Sequence, residues 1–192
     1  MILRAAQRHK GLLLFEAEAR FAQWGSLSYT WARRGQQPAV TTSGKRKGDK
    51  VLGAIAYFSG RLFSRGIEGR CTSDSSQTFV QTSLAQTQAH VLLIHDGARY
   101  HISKAMQSFF ADHAERLTAC PLPSYSPDYN PREYLGKKTQ KRAPHNQYFK
   151  EFAALTVSVD KALASFATHP DTVLGLFGLS CEESGLELTQ AA

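Results

Sequence analysis

Two acids in this chain stand where acids can do chemistry. Asp96 ends the unbroken apolar run "HVLLIHD" (90–96), and Glu133 falls in the first turn of a segment that Pro131 opens after the proline-rich stretch beginning at Pro121. A carboxylate at the mouth of a buried strand is held rigidly. Metal-dependent nucleases use such carboxylates to hold hard cations, which prefer oxygen ligands. Each acid also has a local structural explanation: Asp96 can cap the turn in "HDGARYH", and Glu133 can be favoured by the positive end of a helix dipole. A third stretch, "LLLFEAEARF" (12–21), runs out of a leucine-rich strand into Glu16, Ala17 and Glu18, and its middle position carries no acid.

The elements that must hold these residues follow from local pattern. In the first half, "LLLFEAEARF" is a strand, and Tyr29, Thr30 and Trp31 predict a short strand and turn ahead of "AVTTSG". "GKRKGDK" (44–50) reads as a charged loop, and "VLGAIAYFSGRLFSRGIEG" as two strands joined at Ser59-Gly60. The second half alternates. Thr72, Ser73 and Asp74 offer N-caps for a helix through "SQTFVQTSLAQTQ", which the strand ending at Asp96 follows. Ile102, Ala105, Met106, Phe109 and Phe110 then repeat at helical spacing. A short strand at Leu117–Cys120 leads to the proline loop, and Pro131 suits the first position of a helix that ends before Pro144. A last helix, from about Gln147 to Phe166, places Phe152, Leu155, Val159, Ala162 and Phe166 on one stripe. A hairpin layer followed by strand–helix alternation predicts an α/β fold, a mixed sheet with helices on its faces.

The 192 residues fit one domain, 1–192, with residues 1–10 an irregular lead. A net charge of +7 favours polyanion partners, nucleic acid before membrane. Three widely spaced cysteines without CxxC spacing suggest neither a disulfide framework nor a zinc cluster. No apolar run is long enough to span a bilayer, and the expected setting is the cytoplasm, in association with the nucleoid if the partner is DNA.

"HDGARYH" (95–101) and "PLPSYSPDYNPREYL" (121–135) strongly resemble the second and third acidic motifs of bacterial insertion-sequence transposases of the mariner superfamily. Those are DDE enzymes with a ribonuclease-H-like fold. The likeness extends over "ARFAQWGSLSYTWARRGQQP", "GKRKGDKVLGAIAYFSGRLF" and "HNQYF", almost the whole chain. It implies a metal-dependent DNA strand-cleaving and strand-transferring domain. In the family three acids hold two ions, Mg²⁺ or Mn²⁺. The resemblance places the second acid on Asp96 and the third on Glu133, and assigns the first to Ala17. Two ions about 4 Å apart activate the attacking oxygen and stabilise the leaving one. With alanine at the first position the two-ion site is expected to be incomplete and the activity impaired. Strand alternation points Glu16 and Glu18 away from the face used by Ala17, so rescue by Glu18 requires a one-residue register slip. In a strand buried on both faces that slip is less costly, and Glu18 stays open as a weak substitute. Gly136 occupies a helix position where the family has a large apolar or aromatic residue, a second departure of the same kind. The helix-turn-helix region with which family members recognise their element's ends is expected to be absent.

Lys137, Lys138, Lys141 and Arg142 cluster on the segment bearing Glu133, and Arg33, Arg34, Lys45, Arg46 and Lys47 supply further basic stretches, either for DNA phosphates or as solvated faces. Trp24 and Trp31 are expected to pack in a core or interface rather than stack on bases, and His95 and His101 to serve as hydrogen-bonding neighbours of Asp96 rather than ligands. The expected partners are DNA, as transposon ends and target, and full-length transposase in homo- or mixed oligomers. The competing reading is a non-catalytic DNA-binding or interfering remnant of a transposase.

Overall fold

The computed structural model describes residues 11–24, 29–41, 44–45, 47–123 and 131–177, without the side chains of 131–133. The strand expected in "LLLFEAEARF" is β1 (Leu12–Ala22), the middle strand of a five-stranded sheet. Its partners are β2 (Gly48–Ala56), antiparallel, and β4 (Val91–His95), parallel; β3 (Leu62–Ile67) and β5 (Leu117–Pro121) form the edges in the order β3-β2-β1-β4-β5. The sheet is therefore mixed, as the sequence pattern predicts.

Helices cover both faces. On one lie α1 (Ser73–Leu84) and α2 (Lys104–Asp112), which bury Phe79, Val80, Met106 and Phe109 against Leu14, Leu52, Ala54 and Leu93. On the other lie α3 (Pro131–Arg142), α4 (Phe152–Ala167) and α5 (Pro170–Leu174), followed by a 3₁₀ turn at Gly175–Phe177. There Leu155, Val159 and Leu163 pack on Phe21 and Val51, while Leu135 and Phe166 pack on Ile55. Thr72 caps α1 in a reciprocal capping box with Ser75, and Ser103 caps α2 by accepting from the Met106 N–H at 3.2 Å.

Several local expectations differ from the structure. Tyr29 and Trp31 are fully exposed in an irregular segment, not in a strand or core, and Trp24 is 43% exposed; β-propensity without a partner strand does not make a strand. β2 starts at Gly48, inside the expected charged loop, because Asp49 and Lys50 pair with Phe21 and Arg20 of β1. The β2–β3 connection runs over residues 57–61 rather than two residues. Gly60 is nevertheless required in it: φ is +65°, and a Cβ there would lie 2.5 Å from the Pro170 carbonyl oxygen. Ile102 precedes α2 and, like Ala105, is exposed, so the buried stripe narrows to Met106 and Phe109 with Phe110 beside it. The helix expected from about Gln147 is α4, which begins at Phe152, five residues later, with its buried stripe as predicted except that Phe152 is half-buried. Among the described residues no helix is long and apolar enough to cross a membrane.

Candidate functional site

The parallel ladder between β1 and β4 runs from Leu12↔Val91 to Phe15↔Ile94. Paired residues share a face, and Leu13, Phe15 and Ile94 form one cluster while Leu14 and Leu93 lie in the core of the opposite face. The ladder ends there; continued two residues, it would bring the backbone of Ala17 level with that of Asp96, the residue that follows β4. Ala17 is buried, and α3, whose first turn carries Glu133, packs against β1 on the Phe15–Ile94 side. The Glu133 side chain lies outside the described residues.

Asp96 follows β4 directly and its side chain is about half exposed, 47%. Its Oδ1 accepts the Ala98 N–H at 3.0 Å, so the turn-capping role is real. His101 is buried, with Nε2 3.7 Å from Asp96 Oδ1 and Nδ1 3.4 Å from Ser76 Oγ. Burial, and then the neighbouring His95, lower the His101 pKa to about 3, which keeps its imidazole neutral. His95 bonds through Nδ1 to the Asp96 carbonyl at 2.7 Å, and its ring stacks on Phe110. Both histidines thus brace the turn that carries the acid. Ser76 and Tyr100 complete this environment from α1 and the 97–103 turn; Tyr100 lies within "HDGARYH", whereas Ser76, 20 residues before Asp96, carried no sequence signal.

Glu16 and Glu18 point the other way. They pair in register with Ala54 and Leu52, whose side chains lie in the core beneath α1 and α2. Glu16 is fully buried. Glu18 Oε1 is 2.9 Å from Lys50 Nζ, and its carboxylate also meets Cys71. The Cys71 thiol is pushed up to about 12, first by burial and then by its hydrogen bond to Glu18. Burial, and then Asp96, likewise raise the Tyr100 hydroxyl.

A two-ion site needs several converging oxygen ligands. Ala17 has none to give, Asp96 gives one carboxylate, and no group of three His, Cys, Asp or Glu among the described residues could hold a metal ion.

The basic residues divide into two groups. Lys137, Lys138 and Lys141 are exposed on α3, with Lys137 Nζ 5.3 Å from the Tyr134 ring centroid. Arg142 instead lays its guanidinium 4.2 Å over Phe166 and donates to Ser165 Oγ at 3.3 Å. Lys45 donates to the Lys150 carbonyl at 3.3 Å and Lys47 sits 4.1 Å over Phe152, which brings both to the start of α4. Arg33 and Arg34 are exposed in the irregular 29–41 segment, and Arg46 lies outside the described residues.

Residues 13–156 match the family described as DDE superfamily endonuclease. No curated protein matches the sequence significantly. Among solved structures, the chain is similar to the Mos1 mariner paired-end complex with Mn, with a TM-score of 0.64 at 15% identity over 96% of this chain and 59% of that one. The Mos1 paired-end complex with the left transposon end gives 0.60 at 13% identity, over 91% and 58%. The Mos1 transposase catalytic domain with raltegravir and Mg gives 0.59 at 13%, over 95% and 89%. The chain thus spans less than three fifths of the protein chains in the paired-end complexes and most of the isolated catalytic domain. The shared fold is ribonuclease-H-like, with the mixed sheet and two helical layers described above.

Proposed function

The chain belongs to the DDE superfamily endonuclease family, and from that membership we propose that it is the catalytic domain of a mariner-like transposase whose DNA cleavage and strand transfer are impaired at Ala17. The β1–β4 ladder supports this assignment: continued past Phe15↔Ile94 it would bring Ala17 level with Asp96, and α3, the helix whose sequence contains Glu133, packs against β1. In this reading Asp96 and Glu133 are the surviving acids, and Ala17 replaces the first. The Mos1 complexes with Mg and with Mn support divalent ions as the cofactor. Asp96 and Glu133 would hold them, weakly, because the donor set is incomplete. The carboxylate of Asp96 is braced at one oxygen by the Ala98 N–H, which leaves the other oxygen for a ligand.

DNA is the partner that fits the exposed lysines of α3, as it is for the Mos1 complex with a transposon end. Transposon ends and target DNA are the substrates of the intact activity, and association with the nucleoid follows from them. One observation favours a second reading: the basic surface of α3 is retained while a metal-facing acid is not, which suits a DNA-binding remnant able to interfere with full-length transposase by mixed assembly.

Nicking of supercoiled plasmid in Mg²⁺ or Mn²⁺ distinguishes these readings. The unmodified chain should be nearly inert, and Ala17→Asp should raise nicking roughly a thousandfold, the equivalent of about 4 kcal/mol of transition-state stabilisation. A folded Ala17→Asp chain that stays inert favours the non-catalytic remnant.

A further inference from the structure

We infer that Asp49, when protonated, shares its hydrogen with Gln23, forming a proton-dependent latch between the root of the β1–β2 hairpin and the segment that enters α4. Gln23 N donates to the Lys47 carbonyl at 2.9 Å, which carries the ladder one step past Ala22↔Gly48, and Phe21 pairs with Asp49. Residues 21, 23, 47 and 49 therefore share the face beneath α4, with Gln23 diagonal to Asp49, within reach of a long side chain.

Gln23 is 1% exposed. Its Nε2 donates to the carbonyls of Phe149 at 3.2 Å and Lys150 at 3.3 Å, which fixes the amide's orientation and uses both of its hydrogens. Gln23 Oε1 is then a buried acceptor with no donor among the described residues, and so is Oδ2 of Asp49, itself 7% exposed. A buried acceptor left without a donor is costly, and two such acceptors at diagonal positions on one face compound the cost. One proton on Asp49 Oδ2 turns that pair into a donor and an acceptor.

Among the described residues, the charged groups around Asp49 are engaged elsewhere. On its own strand Lys47 Nζ lies over Phe152, and Lys50 Nζ is held by Glu18 on the opposite face. From β1 it meets Phe21 and Gln23, while Arg20 turns to the Trp24 ring. Lys45 Nζ is bound to the Lys150 carbonyl. From α4 comes Asp160, a like charge, and the next residue along the β2–β3 register is the exposed Glu68. Burial first, and Asp160 second, raise the Asp49 pKa, against a lowering contribution from the Lys50 backbone N–H.

The direction of the pH effect follows. A carboxyl that binds its proton more tightly when folded contributes stability that is fully present below the ordinary carboxylate value of 3.8 and is lost as pH rises through the raised value. The latch also has a place in the surface described above, because it clasps the two carbonyls beside Lys45 and Lys47 at the entry to α4.

Thermal melts of the full chain between pH 4 and pH 8 test this. Asp49→Asn keeps the shape and supplies an N–H donor, so it should melt higher than the unmodified chain at pH 8, by roughly 3–8 °C, and converge on it towards pH 4. Gln23→Glu should melt lower, and increasingly so as pH rises. Should Asp49→Asn not fold, the inference is wrong in its main point, and Asp160→Asn at its exposed position gives an independent reading: it should flatten the pH dependence. An Asp49→Asn chain that melts at or below the unmodified one at pH 8 would overturn the latch. So would a rise in melting temperature on adding Mg²⁺ or Ca²⁺ at pH 8 that Asp49→Asn abolishes, since a metal ion would then occupy the place assigned to the proton.

Discussion

The two faces of β1 carry opposite chemistry. Towards α1 and α2 the strand presents Glu16 and Glu18, one fully buried and the other tied to Lys50 and Cys71. Towards α3 and α4 it presents Phe15, Ala17, Ala19 and Phe21, with no carboxylate. Acidity near a sheet edge is therefore a poor guide to a site unless the face is known. The two glutamates that flank Ala17 in sequence turn to the other face of β1, where Tyr100 senses both of them together with Asp96. Turning either across would expose Phe15 or bury it wrongly, and would break the 2.9 Å Glu18–Lys50 contact.

The contrast can be broken most forcefully in the Ala17→Asp chain. There Asp96→Asn should return nicking to background, a loss of roughly a thousandfold, whereas Glu18→Gln should change it by no more than about twofold. Comparable losses from both substitutions would erase the distinction between the faces. Next in size is the anchoring of α3. Leu135 is fully buried against Ile55 and Phe166, so Leu135→Ala should cost about 2–5 kcal/mol in denaturant unfolding. It should also weaken any activity restored by Ala17→Asp, because the helix bearing Glu133 loses its seat; an unchanged midpoint would show that α3 is held elsewhere.

The basic surface sharpens the comparison in a smaller way. Removal of Lys137, Lys138 or Lys141 should each reduce the slope of log DNA affinity against log salt by about 0.9. Arg142→Ala should act mainly on stability, since its guanidinium is packed on Phe166 and bonded to Ser165. Equal salt-slope effects for all four would mean that the packing of Arg142 does not restrain it. The smallest effect belongs to the acidic face: Lys50→Met should cost at most about 1 kcal/mol, less at high salt, because the Glu18 pair is only partly buried. A much larger loss, measured by urea unfolding, would make that pair a principal support of β1.

The strands and helices with a continuous apolar stripe were legible in the sequence. β1, β4, the capped α1 and the Leu155–Val159–Phe166 stripe of α4 follow from period and capping residues that tertiary packing reinforces. What failed lay where local preference had no partner. Trp31 has the propensity of a strand residue but meets no neighbouring strand, and the charges in "GKRKGDK" concealed that Asp49 and Lys50 belong to β2. Asp96 was visible from its place at the end of an apolar run. Ser76 and the burial of His101 were not, since they converge on Asp96 only through the packing of α1 against the 97–103 turn. The shared face of Gln23 and Asp49 was hidden for the same reason: the two residues are 26 positions apart and come onto one face only because the ladder extends past Ala22.

Divalent-ion affinity tests most directly whether the face of Ala17 is the functional one. Titration of Mn²⁺ into the unmodified, Ala17→Asp, Glu18→Gln and Ala17→Asp/Asp96→Asn chains, followed by the loss of the free-ion paramagnetic signal, reads ligation without requiring turnover. The account predicts weak binding by the unmodified chain, unchanged by Glu18→Gln. It predicts affinity at least about tenfold higher in Ala17→Asp, as an added carboxylate ligand should give, and loss of that gain when Asp96 is replaced. Tight Mn²⁺ binding by the unmodified chain that Glu18→Gln abolishes would contradict it, because the ion would then be held from the opposite face of β1.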